Sequence, residues 1–128
     1  MELATCHLDG GVIVRTIKFR GYVPTYLGMK GYWVYGLLAR YNDELATVVT
    51  NDKLYTVKSD TIGQFTGLHD KNGVEIYEGD VVVHTSFPRD KKQVKYEDGC
   101  YIVGQMALYS YHKSVIEIVG NIHEEVEE

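Results

Sequence analysis

Val57-Lys-Ser-Asp-Thr-Ile-Gly-Gln-Phe-Thr-Gly-Leu-His-Asp-Lys-Asn-Gly-Val-Glu-Ile-Tyr-Glu-Gly-Asp80, running directly into Val81-Val-Val-His84, is the stretch whose reading decides the fold. Asn72-Gly73 between Leu68 and Ile76 is a hairpin signal: a type I′ turn needs positive φ at both central residues, and these two types tolerate it best. Within the same stretch Phe65 is expected to enter the core while Gln64 and Thr66 face outward, and Gly63 and Gly67 allow bends or close backbone approach.

Outward from this block the pattern repeats. Asp98-Gly99 is flanked by Val94, Tyr96, Tyr101 and Val103, and Gln93, Lys95 and Glu97 alternate with them, the period of two that marks a half-buried strand. Further short runs rich in β-branched and aromatic residues occupy 11–19, 32–41, 47–50, 53–57, 78–85 and 114–122. Turn residues separate them, among them Gly28, Gly31, Asn42-Asp43, Asn51-Asp52, Pro88 and Gly104. No long window keeps a helical period; the only helical turns expected are at 42–47 and at 59–62, where Ser59 or Asp60 is placed to cap the first amides. Many short strands with turns about every eight to twelve residues predict a mainly β chain, a small barrel or sandwich.

Three pieces of the central stretch carry a resemblance. Thr61-Ile-Gly-Gln-Phe-Thr-Gly-Leu68, Asp70-Lys-Asn-Gly73 and Glu75-Ile-Tyr-Glu-Gly-Asp80 resemble the core of the YopX-type proteins of bacteriophages and prophages. Ile17-Lys-Phe-Arg20 and Trp33-Val-Tyr-Gly36 resemble the opening of that family, and Ile116-Glu-Ile-Val-Gly-Asn-Ile-His123 its closing segment, so the likeness runs over roughly residues 17–124. It implies a phage or prophage origin and a single YopX-like domain over 1–128. Glu78-Gly79-Asp80 followed by valines also looks like the turn-to-strand step of SH3-like barrels. The expected architecture is therefore a small SH3-like barrel in the C-terminal half, 59–128, with the N-terminal strands of 1–58 packed beside it and little helix.

With 128 residues, 45% of them apolar, the chain can bury about two thirds of its unfolded surface in one core without staples. Cys6 and Cys100 belong to no CxxC or finger spacing, so they are expected to be reduced thiols with no zinc site. The N-terminus has an acidic second residue and no apolar signal core, and nothing approaches about eighteen consecutive apolar residues, which leads to the expectation of a cytoplasmic protein, in the bacterial host by the resemblance.

No catalytic or metal motif in the sequence is complete. Asp70-x-Asn72-Gly73 places its glycine too early for a calcium loop, and His123-Glu-Glu-Val-Glu127 has glutamate where a zinc-protease motif needs its second histidine. His7, His69, His84, His112 and His123 are scattered, and a lone strand histidine is more often a packed or surface residue than a ligand. Asp70, Glu75, Glu78 and Asp80 are close enough in sequence to converge at one hairpin end, yet turn capping accounts for them equally. No enzyme activity, cofactor or metal is expected.

The net charge of −5 opposes non-specific nucleic-acid binding, whose affinity comes mostly from neutralised phosphates. Local exceptions are Arg15, Lys18 and Arg20 on the first strand, and Arg89, Lys91, Lys92 and Lys95 in an expected loop near Tyr96 and Tyr101. The acidic end, Glu124 to Glu128, reads as a solvated tail. Tyrosine is the strongest compositional hint, at 11 of 15 aromatic residues, because its apolar body and polar tip suit surfaces buried part of the time.

Three readings of function follow. The first is a non-enzymatic, homo-oligomeric interaction or assembly module, a phage accessory protein that contacts a phage or host protein through Tyr22, Tyr26, Tyr32, Gln64, His69, Tyr77 and Asp80, with the 22–32 loop as the reaching element. The second is an SH3-like nucleic-acid binder using Arg89, Lys91, Lys92 and Lys95. The third is an enzyme or metalloprotein with a site at the 70–80 hairpin.

Overall fold

Short β-branched runs broken by turn residues give an antiparallel β structure, with helix confined among the described residues to three 3-10 turns. The computed structural model describes residues 2–8, 11–51 and 53–123. The side chains of Cys6, His7 and Arg15, and the tail at 124–128, lie outside the described residues. The chain divides between Gly67 and Leu68 into two compact units.

In the N-terminal unit β1 (Glu2–Leu8) and β2 (Gly11–Ile17) pair as a two-stranded ladder. A larger sheet contains β3 (Phe19–Val23), β4 (Tyr32–Tyr41), β5 (Leu45–Thr50), β6 (Lys53–Lys58) and the start of β7 (Gly63–His69), in the order β6-β5-β4-β3-β7. Period-two alternation places Val34, Ala46, Val48 and Val57 on one face as a buried cluster, against which Val23, Leu38, Tyr55 and Ile62 pack. Residues 42–47 are not helical. The Asn42 carboxamide oxygen accepts from the amides of Glu44 and Leu45, both at 3.0 Å, closing a turn. β5 then finds ladder partners on both sides while Ala46 and Val48 enter the core, so burial overrides local preference. The turn expected at 59–62 is present as the 3-10 turn Ser59–Thr61. There the Thr61 hydroxyl accepts from the Tyr22 amide at 2.9 Å and donates to the Lys58 carbonyl at 2.6 Å.

The C-terminal unit holds β8 (Glu75–Tyr77), β9 (Asp80–His84), β10 (Phe87–Glu97), β11 (Cys100–Val103), β12 (Met106–Ala107) and β13 (Ile116–Asn121). Five of these form an antiparallel sheet in the order β12-β11-β10-β9-β13 over a core of Ile76, Val82, Val94, Val103, Leu108 and Ile116. Among the described residues no ladder joins the edges β12 and β13. Asp98 and Gly99 both have positive φ, at 53° and 81°, as a type I′ hairpin requires.

The Asn72-Gly73 turn differs from the sequence expectation. Only Gly73 is left-handed, at φ 81°. The Gly73 amide donates to the Asp70 carbonyl at 3.0 Å and the Asp70 amide to the Val74 carbonyl at 2.9 Å, giving a loop of three residues with a glycine bulge. The basic segment 89–95 also differs: it lies within strand β10, because Gln93 and Lys92 pair with β9 and Lys95 and Val94 with β11.

At Gly21 on β3 the sheet leaves no room for a side chain: a Cβ there would lie 2.6 Å from Val57 Cγ2, and Val57 is fully buried. Gly21→Ala is expected to cost about 1–3 kcal/mol through overpacking. A urea titration should show a lower midpoint at unchanged slope; an unchanged midpoint would mean that Val57 gives way freely.

Candidate functional site

The expected interaction residues are split between the two units. Tyr22, Tyr26, Tyr32 and Gln64 belong to the first and His69, Tyr77 and Asp80 to the second. Tyr22 is buried, edge-on to Trp33 at 5.2 Å between centroids, and the Arg20 guanidinium lies 4.8 Å over the same indole. Gln64 is half-buried opposite Phe19 in the ladder, with Phe65 in the core beside it. Tyr77 and Asp80 are buried too, and His69 is exposed. As buried groups Tyr22, Tyr77 and Asp80 serve packing and turn closure and present no contact surface. Tyr26 and Tyr32 remain exposed, on the hairpin that joins β3 to β4.

The carboxylates of the 70–80 hairpin are used by the backbone. Asp70 Oδ1 accepts from the amides of Asn72 at 2.8 Å and Val74 at 3.0 Å, while its Oδ2 accepts from the Ile118 amide at 3.1 Å. Asp80 Oδ2 accepts from the Tyr77 amide at 2.8 Å, closing the turn around Gly79, whose φ is 95°. Glu75 accepts from the Tyr77 hydroxyl at 2.9 Å. Asp70 and Asp80 thus face inward onto amides, which supply the hydrogen bonds a buried carboxylate needs. Among the described residues no group of three or more His, Cys, Asp or Glu is arranged to hold a metal ion, and no helix is long and apolar enough to cross a membrane.

A concavity of about 150 Å³ opens on the five-stranded sheet. Val82, Val103 and Ile116 form its floor, and His84, Phe87 and Tyr111 stand around it. The His84 ring lies 5.6 Å from Phe87 and 6.2 Å from Tyr111 between centroids, inclined at 53° and 62°. His84 Nδ1 accepts from the Ser86 amide at 3.0 Å, so the neutral ring carries its proton on Nε2. Asp90 and Lys92 complete the rim, with Lys92 Nζ 2.6 Å from Asp90 Oδ2. The hydrogen bond to Asp90 holds the ammonium above its usual range; desolvation opposes it, and the charge of the Asp90 carboxylate adds a smaller push upward. The Lys92 stem runs over Gly104, where an added Cβ would lie 3.0 Å from its Cδ.

β10 supplies this rim through an irregular ladder. Phe87 pairs with His84 and Lys92 with Val82, so β10 takes five steps where β9 takes two, and three residues are surplus. The bulge carries Arg89, Asp90 and Lys91. Of the four predicted basic contacts, Arg89, Lys91 and Lys95 are exposed and Lys92 is half-buried against Asp90. Sequence reasoning found this basic segment and missed the pocket. His84 and Phe87 flank the short Thr85-Ser86 turn and are legible as neighbours, but Tyr111 arrives from far along the chain and no local pattern points to it.

A family model described as YopX protein matches residues 18–127. No curated protein matches the chain. Among solved structures, the crystal structure of protein EF1440 from Enterococcus faecalis is similar, with a TM-score of 0.53 and 23% sequence identity over 88% of this chain and 97% of that one. At that identity the likeness concerns the fold.

Because Asp70 serves three backbone donors from a buried position, Asp70→Ala is expected to destabilise the protein by about 3 kcal/mol or more, on a scale of about 1–3 kcal/mol for each orphaned donor. Asp70→Asn, which keeps an acceptor, should lose roughly half as much. Thermal melts of the two variants test the order; equal melting temperatures for Asp70→Ala and the parent would remove the assignment.

Proposed function

The chain belongs to the YopX family, and from that premise we propose that it is a non-enzymatic interaction module of phage or prophage origin, acting in the cytoplasm of a bacterial host and assembling with a second copy of itself. One observation carries the reading. The β3–β4 hairpin ends in Tyr26-Leu27-Gly28-Met29, with Tyr26 70%, Leu27 83% and Met29 72% exposed. The turn is closed by the Met29 amide donating to the Tyr26 carbonyl at 2.9 Å and the Tyr26 amide to the Met29 carbonyl at 3.2 Å. Its central residues have φ of 49° at Leu27 and 79° at Gly28.

A leucine in the left-handed region is costly by about 1 kcal/mol, where asparagine or glycine would sit without strain. A local rule broken at an exposed apolar position is the kind of conflict expected of a contact site. Tyr32, Tyr35 and Tyr41 on β4 extend the exposed aromatic character of this unit. The finer reading of the C-terminal unit as an SH3-like barrel belongs to the same proposal, supported by its five antiparallel strands over one core and by the glycine bend before β9. The non-enzymatic reading is supported by the inward use of Asp70 and Asp80.

Sedimentation velocity over a range of concentrations tests self-association. The parent should gain mass with concentration, and Leu27→Asn should move the equilibrium toward monomer while leaving the melting temperature equal or slightly higher. A parent that stays monomeric throughout would overturn the proposal.

A further inference from the structure

We propose that the concavity on the five-stranded sheet receives one unstacked base of a single-stranded nucleic acid, whose adjoining phosphates meet Arg89 and Lys91 on the β10 bulge. Size comes first. About 150 Å³ is below the ~300–1,000 Å³ of drug-sized pockets, so it suits one small ring system on an apolar floor. The walls come next. His84, Phe87 and Tyr111 offer aromatic faces and edges at 5.6 and 6.2 Å around one opening, and Phe87 is 63% exposed with a face free to be covered. Aromatic faces of this kind hold bases by stacking with little regard to sequence.

The rim provides both signs of hydrogen-bonding group. Lys92 Nζ and the His84 Nε2–H donate, the Asp90 carboxylate accepts, and the edge of every base carries both donors and acceptors. A simple aliphatic ligand would leave that mixed rim without use. A small cation is disfavoured because Lys92 already answers the Asp90 charge at 2.6 Å.

Charge then selects a polymer over a neutral ring. Among the described residues neither Arg89 nor Lys91 has an ion-pair partner. The bulge lifts both out of the regular ladder beside the pocket, with Lys95 exposed further along the same strand. Pro88, which lacks an amide hydrogen, opens this bulge without leaving a donor unpaired. Cations flanking an aromatic pocket along one strand track a phosphate backbone as single-strand binders do. The Tyr26–Met29 tip lines no part of this pocket, so self-association and base binding stand or fall separately.

Fluorescence anisotropy of a labelled deoxythymidine oligonucleotide, titrated with the full chain at several low salt concentrations, tests it. Phe87→Ala should weaken binding about tenfold, the scale of one base–aromatic stack, without shifting the melting temperature of the protein. Arg89→Ala with Lys91→Ala should weaken it too and flatten the salt dependence by about 1.4 in log K against log salt, at ~0.7 per phosphate on a single strand. Absence of binding at the lowest salt would overturn the inference. Binding indifferent to Phe87→Ala, which means attraction to phosphates alone, would overturn it as well, and so would a mononucleotide binding as tightly as the oligonucleotide.

Discussion

One buried carboxylate organises the C-terminal unit. Asp70 holds the amides of its own turn, Asn72 and Val74, and with its other oxygen the amide of Ile118, 48 residues away. The Lys71 amide donates to the Ile116 carbonyl at 2.8 Å beside it. A local turn is thereby fastened to β13, the strand that borders β9. β13 in turn places Ile116 in the core and in the floor of the concavity. The Ile122 amide donating to the Gly79 carbonyl at 3.0 Å secures the other end of that strand. Removing the carboxylate would orphan donors at both places at once, which is why a single polar side chain has leverage over a sheet that is otherwise apolar.

The strands were legible because their signal is local. Alternation and turn residues mark 32–41, 53–57 and the Asp98-Gly99 hairpin, and the structure has β4, β6 and the β10–β11 turn there. Errors arose where a distant partner decides the outcome. Residues 42–47 favour a helical turn by themselves, yet 42–44 close a turn and two flanking strands claim 45–47. Asp70, Asp80, Tyr22 and Tyr77 look like surface residues by type, and each is buried through a bond or a ring contact that sequence does not display. Segment 88–95 carries Pro88 and four basic residues that depress β propensity, but its pairing with β9 and β11 outweighs them at the cost of a bulge.

Tyrosine serves two ends in this chain. Tyr22 and Tyr77 are core residues whose polar ends or amides find partners, whereas Tyr26, Tyr32, Tyr35, Tyr41, Tyr96 and Tyr109 stand exposed. A polar tip lets the same residue type occupy either environment at small cost. Composition therefore announces an excess of amphipathic rings without sorting them. The sorting comes from register: Tyr96 opposite Tyr101 lies beyond the buried Val94–Val103 pair, and their rings meet edge to face at 5.0 Å.

Net charge is a poor guide to the surface of the described units. Four of the glutamates that make up the −5 belong to the terminal 124–128 segment, and without them residues 1–123 carry −1. Over distances beyond about 8–10 Å, salt screens exposed charges from one another at physiological strength. A phosphate approaching the β10 bulge therefore responds to Arg89, Lys91 and the paired Asp90–Lys92 far more than to carboxylates elsewhere. Within the hairpin, Asp70 and Asp80 are turned inward onto amides, so their charge faces donors and adds little repulsion at the surface. What a ligand meets is the potential of a few groups within one screening length, and at the bulge Arg89, Lys91 and Lys92 outnumber Asp90.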